Sequence, residues 1–87
     1  MKRNSLLKEE LLHYINEDWN DSIRQNGSGV WQTARAIQLK LRQRGILITW
    51  PTISLRLYSL LMEGSVERIS TSAGEMWKPI DDSFSIT

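Results

Sequence analysis

The sequence contains no cysteine and only one histidine. The absence of cysteine excludes disulfide bonds, thiolate nucleophiles and cysteine-bound metal ions. Because the chain needs no disulfide, we expect it to work inside the cell, in the cytoplasm. No uninterrupted apolar run is longer than the three residues Ile46 to Ile48. We therefore predict neither a membrane-spanning helix nor a secretory signal.

Groupings of side chains that support catalysis are also missing. The sequence offers no nucleophile beside a general base, no spaced pair of carboxylates and no ligand set for a metal. The segment "QNGSGVW" contains two glycines, but no Gly-Lys-Ser/Thr follows it, so we interpret it as an ordinary loop. His13 has no cysteine partner and is predicted to be a surface residue. These features predict a protein that is not an enzyme and holds no cofactor.

Acidic residues are absent from the whole middle of the chain. The net charge is only +1, yet no Asp or Glu occurs between Asp21 and Glu63. The basic residues of that stretch are Arg24, Arg35, Lys40, Arg42, Arg44 and Arg56. Charge segregated in this way gives a nearly neutral protein one positive surface, which is typical of phosphate binding. The alternative is a basic helix face that is simply solvated.

The first part of the chain has the periodicity of an amphipathic helix. Leu7, Leu11, Ile15 and Trp19 recur every four residues, which predicts a helix over residues 5–18 with these side chains on its buried face. Asn4 or Ser5 is the expected N-cap. The helix can also continue further, since Ile23 keeps the same spacing.

A second helix is predicted after the glycine-containing loop. Val30 and Trp31 are expected to form a very short strand, and Thr33 to cap a helix over residues 34–44. Ala34, Ile37 and Leu41 form the buried edge of this helix. Gly45 follows at once and is a suitable C-terminal cap.

A third helix and two strands complete the predicted fold. Thr49 is the expected N-cap and Pro51 suits the first turn of a helix from Trp50 to Glu63 that ends before Gly64. Its buried face is predicted to consist of Ile53, Leu57, Leu60 and Leu61. Strands are expected near residues 65–70 and 75–80, followed by a loose tail over residues 81–87. The 87 residues suffice for one α+β domain over residues 1–80.

The stretch "LRQRGILITWPTISLRLYSLLMEGSVERI" resembles the winged helix-turn-helix family. A helix ends at Gly45, the turn ends at Thr49, and Thr52-Ile53-Ser54 opens the third helix like a recognition helix. Gly64, Val66 and Arg68 resemble the step into a wing. The turn is also similar to that of the N-terminal domains of bacterial arginine repressors, although this chain lacks an effector-binding domain. The resemblance implies three helices with a C-terminal two-stranded β-wing.

The resemblance also implies binding of double-stranded DNA by a small transcriptional regulator, associated with the nucleoid. The third helix is expected in the major groove, with the second helix and the wing on phosphates. Arg56 is the side chain best able to bond a guanine with two hydrogen bonds. Because one module makes few contacts, operator-level affinity usually calls for a dimer, so a homodimer and a protein partner both stay open beside double-stranded DNA. The predicted DNA-binding residues are Arg35, Lys40, Arg42, Arg44, Trp50, Thr52, Ser54, Leu55, Arg56, Tyr58, Ser59, Arg68 and Lys78.

Leu55 stands where many family members carry a polar residue that reads a base. Tyr58 and Met62 extend Leu55 into a second apolar stripe along the third helix. Either the stripe faces the core and the helix is rotated, or it contacts thymine methyl groups, or it binds a protein partner. A protein-interaction winged helix in a larger assembly, using Leu55, Tyr58 and Met62, is therefore the alternative function. RNA binding is a further alternative.

Overall fold

The computed structural model describes residues 3–80 of the chain. Three helices are followed by a two-stranded antiparallel sheet, which confirms the predicted α+β layout and is consistent with a winged helix. The predicted tail lies outside the described residues. Within residues 3–80, no helix has the length and apolar character needed to cross a membrane. The elements are α1 (Lys8–Asn26), α2 (Ala34–Gln43), α3 (Trp50–Met62), β1 (Val66–Thr71) and β2 (Gly74–Pro79).

The predicted start of the first helix was wrong, and the helix continues past residue 18. Helix α1 begins at Lys8, with Leu7 as its N-cap, and not after Asn4 or Ser5. The backbone N–H of Leu7 donates to Glu10 Oε1 at 3.1 Å. This bond, followed by the hydrogen bond from Arg3, lowers the pKa of Glu10. At the other end the helix continues to Asn26, as the spacing of Ile23 allowed, and Gly27 caps it at φ 82°.

Because α1 begins later than predicted, Leu6 is buried in place of Leu7. Leu7 was predicted to be buried, but its extended backbone leaves it 66% exposed, while Leu6 is only 2% exposed. The segment before α1 is held extended by Arg3, which forms a parallel bridge with Ile46. The N–H of Arg3 donates to the Gly45 carbonyl at 2.8 Å, and its carbonyl accepts from the N–H of Leu47 at 2.7 Å. The N-terminal segment is thereby tied to the turn between α2 and α3.

The local signals for α2 and α3 are confirmed. Thr33 Oγ1 accepts from the backbone N–H of Ala36 at 3.1 Å, and Gly45 follows α2 with φ 82°. Thr49 is the N-cap of α3, and Pro51 lies in its first turn. Each helix ends one residue earlier than predicted, since α2 ends at Gln43 and α3 at Met62.

The hairpin is confirmed, and each strand lies one residue nearer the turn than predicted, at Val66–Thr71 and Gly74–Pro79. Thr71 is paired with Gly74 across the turn, and Val66 is paired with Pro79 at the far end. The predicted short strand at Val30 and Trp31 was placed too early. The backbone instead pairs at Gln32, whose N–H donates to the Trp77 carbonyl at 3.0 Å and whose carbonyl accepts from the Trp77 N–H at 2.8 Å.

The core collects apolar side chains from every element. The predicted buried face of α3 is confirmed for Ile53, Leu57 and Leu60, while Leu61 is only partly buried. On α2, Ile37 and Leu41 are buried and Ala34 is partly buried. The buried apolar residues of the core are Leu6, Leu11, Ile15, Ile37, Leu41, Ile46, Ile48, Ile53, Leu57, Leu60, Val66 and Trp77. This packing decides which side of α3 is left open.

Candidate nucleic-acid interface

The open side of α3 is largely apolar. Leu55 lies opposite Ile53, since two residues turn a helix by about 200°, and it is 70% exposed. Met62 is 88% exposed and Tyr58 is 37% exposed. The alternative that Leu55 faces the core is therefore excluded. Thr52 and Ser59 flank Leu55 on the same side of the helix and are half-buried.

Arg56 lies at the edge of this open side, beside Leu55 and Ser59. Its Nε donates to the backbone carbonyl of Leu6 at 2.6 Å, and the side chain is partly buried. The guanidinium therefore connects α3 to the extended segment before α1. This contact uses Nε, so it does not engage the two Nη groups. The sequence carried no signal for this contact, because the two residues are 50 positions apart.

A shallow cavity of about 250 Å³ lies where the start of α2, the start of α3 and the wing tip meet. Arg35, Trp50 and Ser54, three of the predicted binding residues, contribute to its lining together with Thr33, Gly74 and Glu75. The guanidinium carbon of Arg35 lies 5.6 Å from the centroid of the Trp50 ring. Trp50 is 44% exposed, whereas Trp19 and Trp31 are half-buried.

The cations of α2 differ from those elsewhere in the structure. Within residues 3–80, Arg35, Lys40 and Arg42 have no carboxylate oxygen within 4.0 Å. By contrast, every described Arg and Lys outside α2 and α3 has such a carboxylate. The paired cations are Arg3, Lys8, Arg24, Arg44, Arg68 and Lys78. The structure thus leaves uncompensated positive charge on α2.

The three α2 cations do not all lie on one side. Arg35 and Arg42 are seven residues apart and share a side of the helix. Arg42 lines a concavity with Thr49 at the start of α3. On the same side Gln38 Nε2 donates to the Ile48 carbonyl at 3.0 Å and holds α2 against the turn. Lys40 lies about 140° round the helix from Arg35 and is separated from this group.

Arg44 is part of an ion pair between helices. Its Nη2 lies 3.0 Å from Asp18 Oδ1 and 3.5 Å from Glu17 Oε1, and its guanidinium carbon is 4.7 Å from the centroid of the Tyr14 ring. Asp18 is buried, with only 9% exposed. This pair was missed by sequence reasoning. Its signal was an acid three residues after Ile15, on the buried side of α1, where a charge requires a partner.

Two predicted wing residues are also engaged within the protein. Arg68 Nη1 lies 2.6 Å from Glu75 Oε2 and 3.1 Å from the hydroxyl of Tyr58. The Tyr58 hydroxyl donates to the Glu75 carboxylate at 2.6 Å. The hydrogen bond from Tyr58 and then that from Arg68 lower the pKa of Glu75. This network fixes the wing against α3.

Lys78 lies between two aromatic rings at the opposite side of the hairpin. Its Nζ is 5.2 Å from the centroid of Trp19, 5.8 Å from that of Trp31, and 3.1 Å from Glu67 Oε1. The predicted residues therefore divide into separate groups. Arg35, Arg42, Trp50 and Ser54 lie near the start of α3; Thr52, Leu55 and Ser59 lie on its open side; Arg44, Arg56, Tyr58, Arg68 and Lys78 make internal contacts; and Lys40 lies apart.

Leu7 is a surface residue that sequence reasoning missed. It lies beside Leu55 and Ser59 in a second shallow concavity and adds to the exposed apolar surface. Among the described residues, no group of three His, Asp or Glu side chains is placed to hold a metal ion. Comparisons with protein-family models, with curated proteins and with solved structures gave no match to this chain.

Proposed function

We propose that this protein binds double-stranded DNA as a small winged-helix transcriptional regulator. The observation that carries the proposal is the uncompensated charge of α2, beside the open side of α3. Within residues 3–80, Arg35, Lys40 and Arg42 are the described Arg and Lys residues that have neither a carboxylate within 4.0 Å nor a hydrogen bond to a backbone carbonyl. Cations left without a carboxylate or carbonyl partner are available to phosphate oxygens.

The position of these cations supports a definite orientation on the duplex. A helix fits the major groove, and the residues near its N-terminus approach the base edges. Arg35 and Arg42 lie beside the start of α3, since Arg35 lies over the Trp50 ring and Arg42 lines a concavity with Thr49. With α3 in the groove, Arg35 and Arg42 are expected to contact the phosphates that border it. The wing is expected to contact the backbone at its tip.

The test is DNA affinity measured by fluorescence anisotropy on a random duplex, at about 50 mM and about 200 mM salt. Arg35→Ala combined with Arg42→Ala should weaken binding to all duplexes and reduce the slope of log K against log salt by about 2, since two phosphate contacts are lost. Arg24→Ala is the matched control, because Arg24 is a cation of α1 that is paired with Asp21. Unchanged affinity of the double variant at the lower salt concentration would refute the proposed orientation.

The exposed apolar surface favours a second candidate function, the binding of a protein partner. Leu7, Leu55 and Met62 are 66%, 70% and 88% exposed, respectively. An interface built on these side chains would respond little to salt, in contrast to phosphate contacts. Sedimentation at several protein concentrations tests the homodimer version of this function. A mass that rises with concentration in the wild type and not in Leu55→Asp would support it.

A further inference from the structure

We propose that α3 recognises DNA through the C5-methyl group of thymine, with Leu55 as the contacting side chain. The recognised substrate is then a major groove that presents thymine methyl groups. This inference rests on the proposed DNA-binding function. It concerns what the open side of α3 can distinguish once the phosphates have positioned the helix.

The first argument is the chemistry of that open side. Leu55 lies in the second turn of α3 and is 70% exposed. Pro51, one turn earlier, is also exposed. Met62 is the last residue of the helix. Because the N-terminal turns of a recognition helix approach the bases most closely, Leu55 is better placed than Met62 to reach a base edge.

The second argument is that α3 has few side chains that read other bases. Guanine is usually read by two hydrogen bonds from Arg or Lys, and adenine by two from Asn or Gln. Helix α3 contains no Lys, Asn or Gln, and its one arginine, Arg56, donates to the Leu6 carbonyl. The Tyr58 hydroxyl is held by Glu75. Thr52 and Ser59 can bond to any base, so their hydroxyls do not by themselves select one.

The third argument is the match between Leu55 and the groove. The methyl group of thymine is the apolar group that base pairs present in the major groove. A leucine in contact with it buries apolar surface on both partners, which is favourable because that surface leaves water. Thr52 and Ser59 flank Leu55 with small side chains that permit close approach. The exposed Leu55 suits the thymine methyl group, and the arginines beside the same helix suit the phosphates that border the groove.

The experiment compares four duplexes of equal length by fluorescence anisotropy at one low salt concentration. Two are alternating A·T duplexes, one with thymine and one with uracil, which lacks the methyl group. The other two are alternating G·C duplexes, one with cytosine and one with 5-methylcytosine. Loss of each contacted methyl should weaken binding about fourfold, and gain of a methyl should strengthen it by the same factor. Equal affinity within both pairs would overturn the inference.

Variants assign the effect to a residue. For each pair of duplexes, the affinity ratio is the affinity for the duplex with the methyl group divided by that for the duplex without it. In Leu55→Ala both ratios should be close to one. The variant should fold because the Leu55 side chain is exposed. Leu39→Ala is the matched control, since Leu39 is a 57% exposed leucine on α2, and it should keep both ratios. If Leu55→Ala keeps them as well, Leu55 is not the contact and the inference fails. The comparison of natural and modified duplexes needs no variant, so the inference stays testable whatever the variants do.

The outcomes also separate this inference from the function on which it rests. Salt-dependent binding of every duplex with no response to the methyl group would overturn the inference and leave the proposed function in place. Failure to bind any duplex at low salt would overturn both. In that case the apolar surface around Leu55 would be assigned to a protein partner.

Discussion

Replacement of Arg44 by alanine should destabilise the protein without a direct effect on DNA binding. The sequence places Arg44 with the phosphate-binding cations, but its guanidinium lies 3.0 Å from the buried carboxylate of Asp18. Arg42, two residues earlier, is exposed and has no carboxylate partner within residues 3–80. The two arginines therefore form a matched pair with opposite expected effects.

The expected size of the effect follows from the surroundings of the ion pair. A hydrogen bond to a charged group typically contributes about 1.5–3 kcal/mol, and breaking a fully buried ion pair costs about 3–5 kcal/mol. The Asp18 side chain is 10% exposed, but that of Arg44 is 29% exposed, so solvent screens part of the interaction. Loss of the contact with the Tyr14 ring adds a smaller cost. We expect Arg44→Ala to lower the free energy of unfolding by about 2–3 kcal/mol.

The assay is urea denaturation followed by tryptophan fluorescence and circular dichroism. A loss of this size should lower Tm by roughly 10–20 °C for a domain of this length. Arg42→Ala should change the free energy of unfolding by less than about 0.5 kcal/mol, as expected for an exposed residue. In the double variant Asp18→Asn with Arg44→Ala, the loss should be smaller than the sum of the single losses, because the two side chains interact.

Two results would refute this reasoning. Arg44→Ala with a free energy of unfolding within about 0.5 kcal/mol of the wild type would show that the ion pair contributes little. Weakened DNA binding by Arg44→Ala with unchanged stability would make Arg44 a phosphate contact, as the sequence predicts. Binding is to be measured well below Tm, so that unfolding does not imitate a loss of affinity.

Three further predictions concern packing and pH. Gly29→Ala should cost about 1–3 kcal/mol, because a Cβ there would lie 2.3 Å from ring atoms of Trp19; urea denaturation measures the loss, and wild-type stability would contradict it. Leu57→Ala removes a side chain with 0% exposure and should cost about 2–5 kcal/mol by the same assay. The hydrogen bond from the Tyr58 hydroxyl lowers the pKa of Glu75 in the folded protein. The hydrogen bond therefore contributes to stability above the pKa of about 4.3 that Glu75 has in the unfolded chain. This contribution is lost as the pH falls through the pKa of Glu75 in the folded protein. Glu75→Gln should accordingly lower Tm at about pH 6 and have little effect near pH 2; an equal effect at both pH values would contradict this assignment.

The sequence predicted the ends of helices best where the signal was local. Thr33 caps α2 through a bond to a backbone N–H three residues away. Gly45 and Gly64 adopt positive φ angles of 82° and 79° just after α2 and α3. Such signals act within one helical turn, so they can be read from neighbouring residues alone. The three-helix and hairpin order could be predicted for the same reason.

The start of α1 shows why local signals can fail. Asn4 and Ser5 are good cap residues, but Arg3 pairs with Ile46 and Leu6 is buried, which keeps this segment extended. Burial of an apolar side chain and two backbone hydrogen bonds outweigh a preference worth about 1 kcal/mol. These contacts come from residues about 40 positions away. No local pattern records them.

In the candidate site, too, some properties follow from local spacing and others depend on distant segments of the chain. Helical spacing by itself determined that Leu55 lies opposite Ile53 and that Arg35 and Arg42 share a side of α2. Only the tertiary structure decided which charges are free to bind a partner. It brought Arg44 to Asp18 and Arg56 to the Leu6 carbonyl. Spacing fixes the direction of a side chain around its own helix, whereas the group opposite it depends on how distant segments pack.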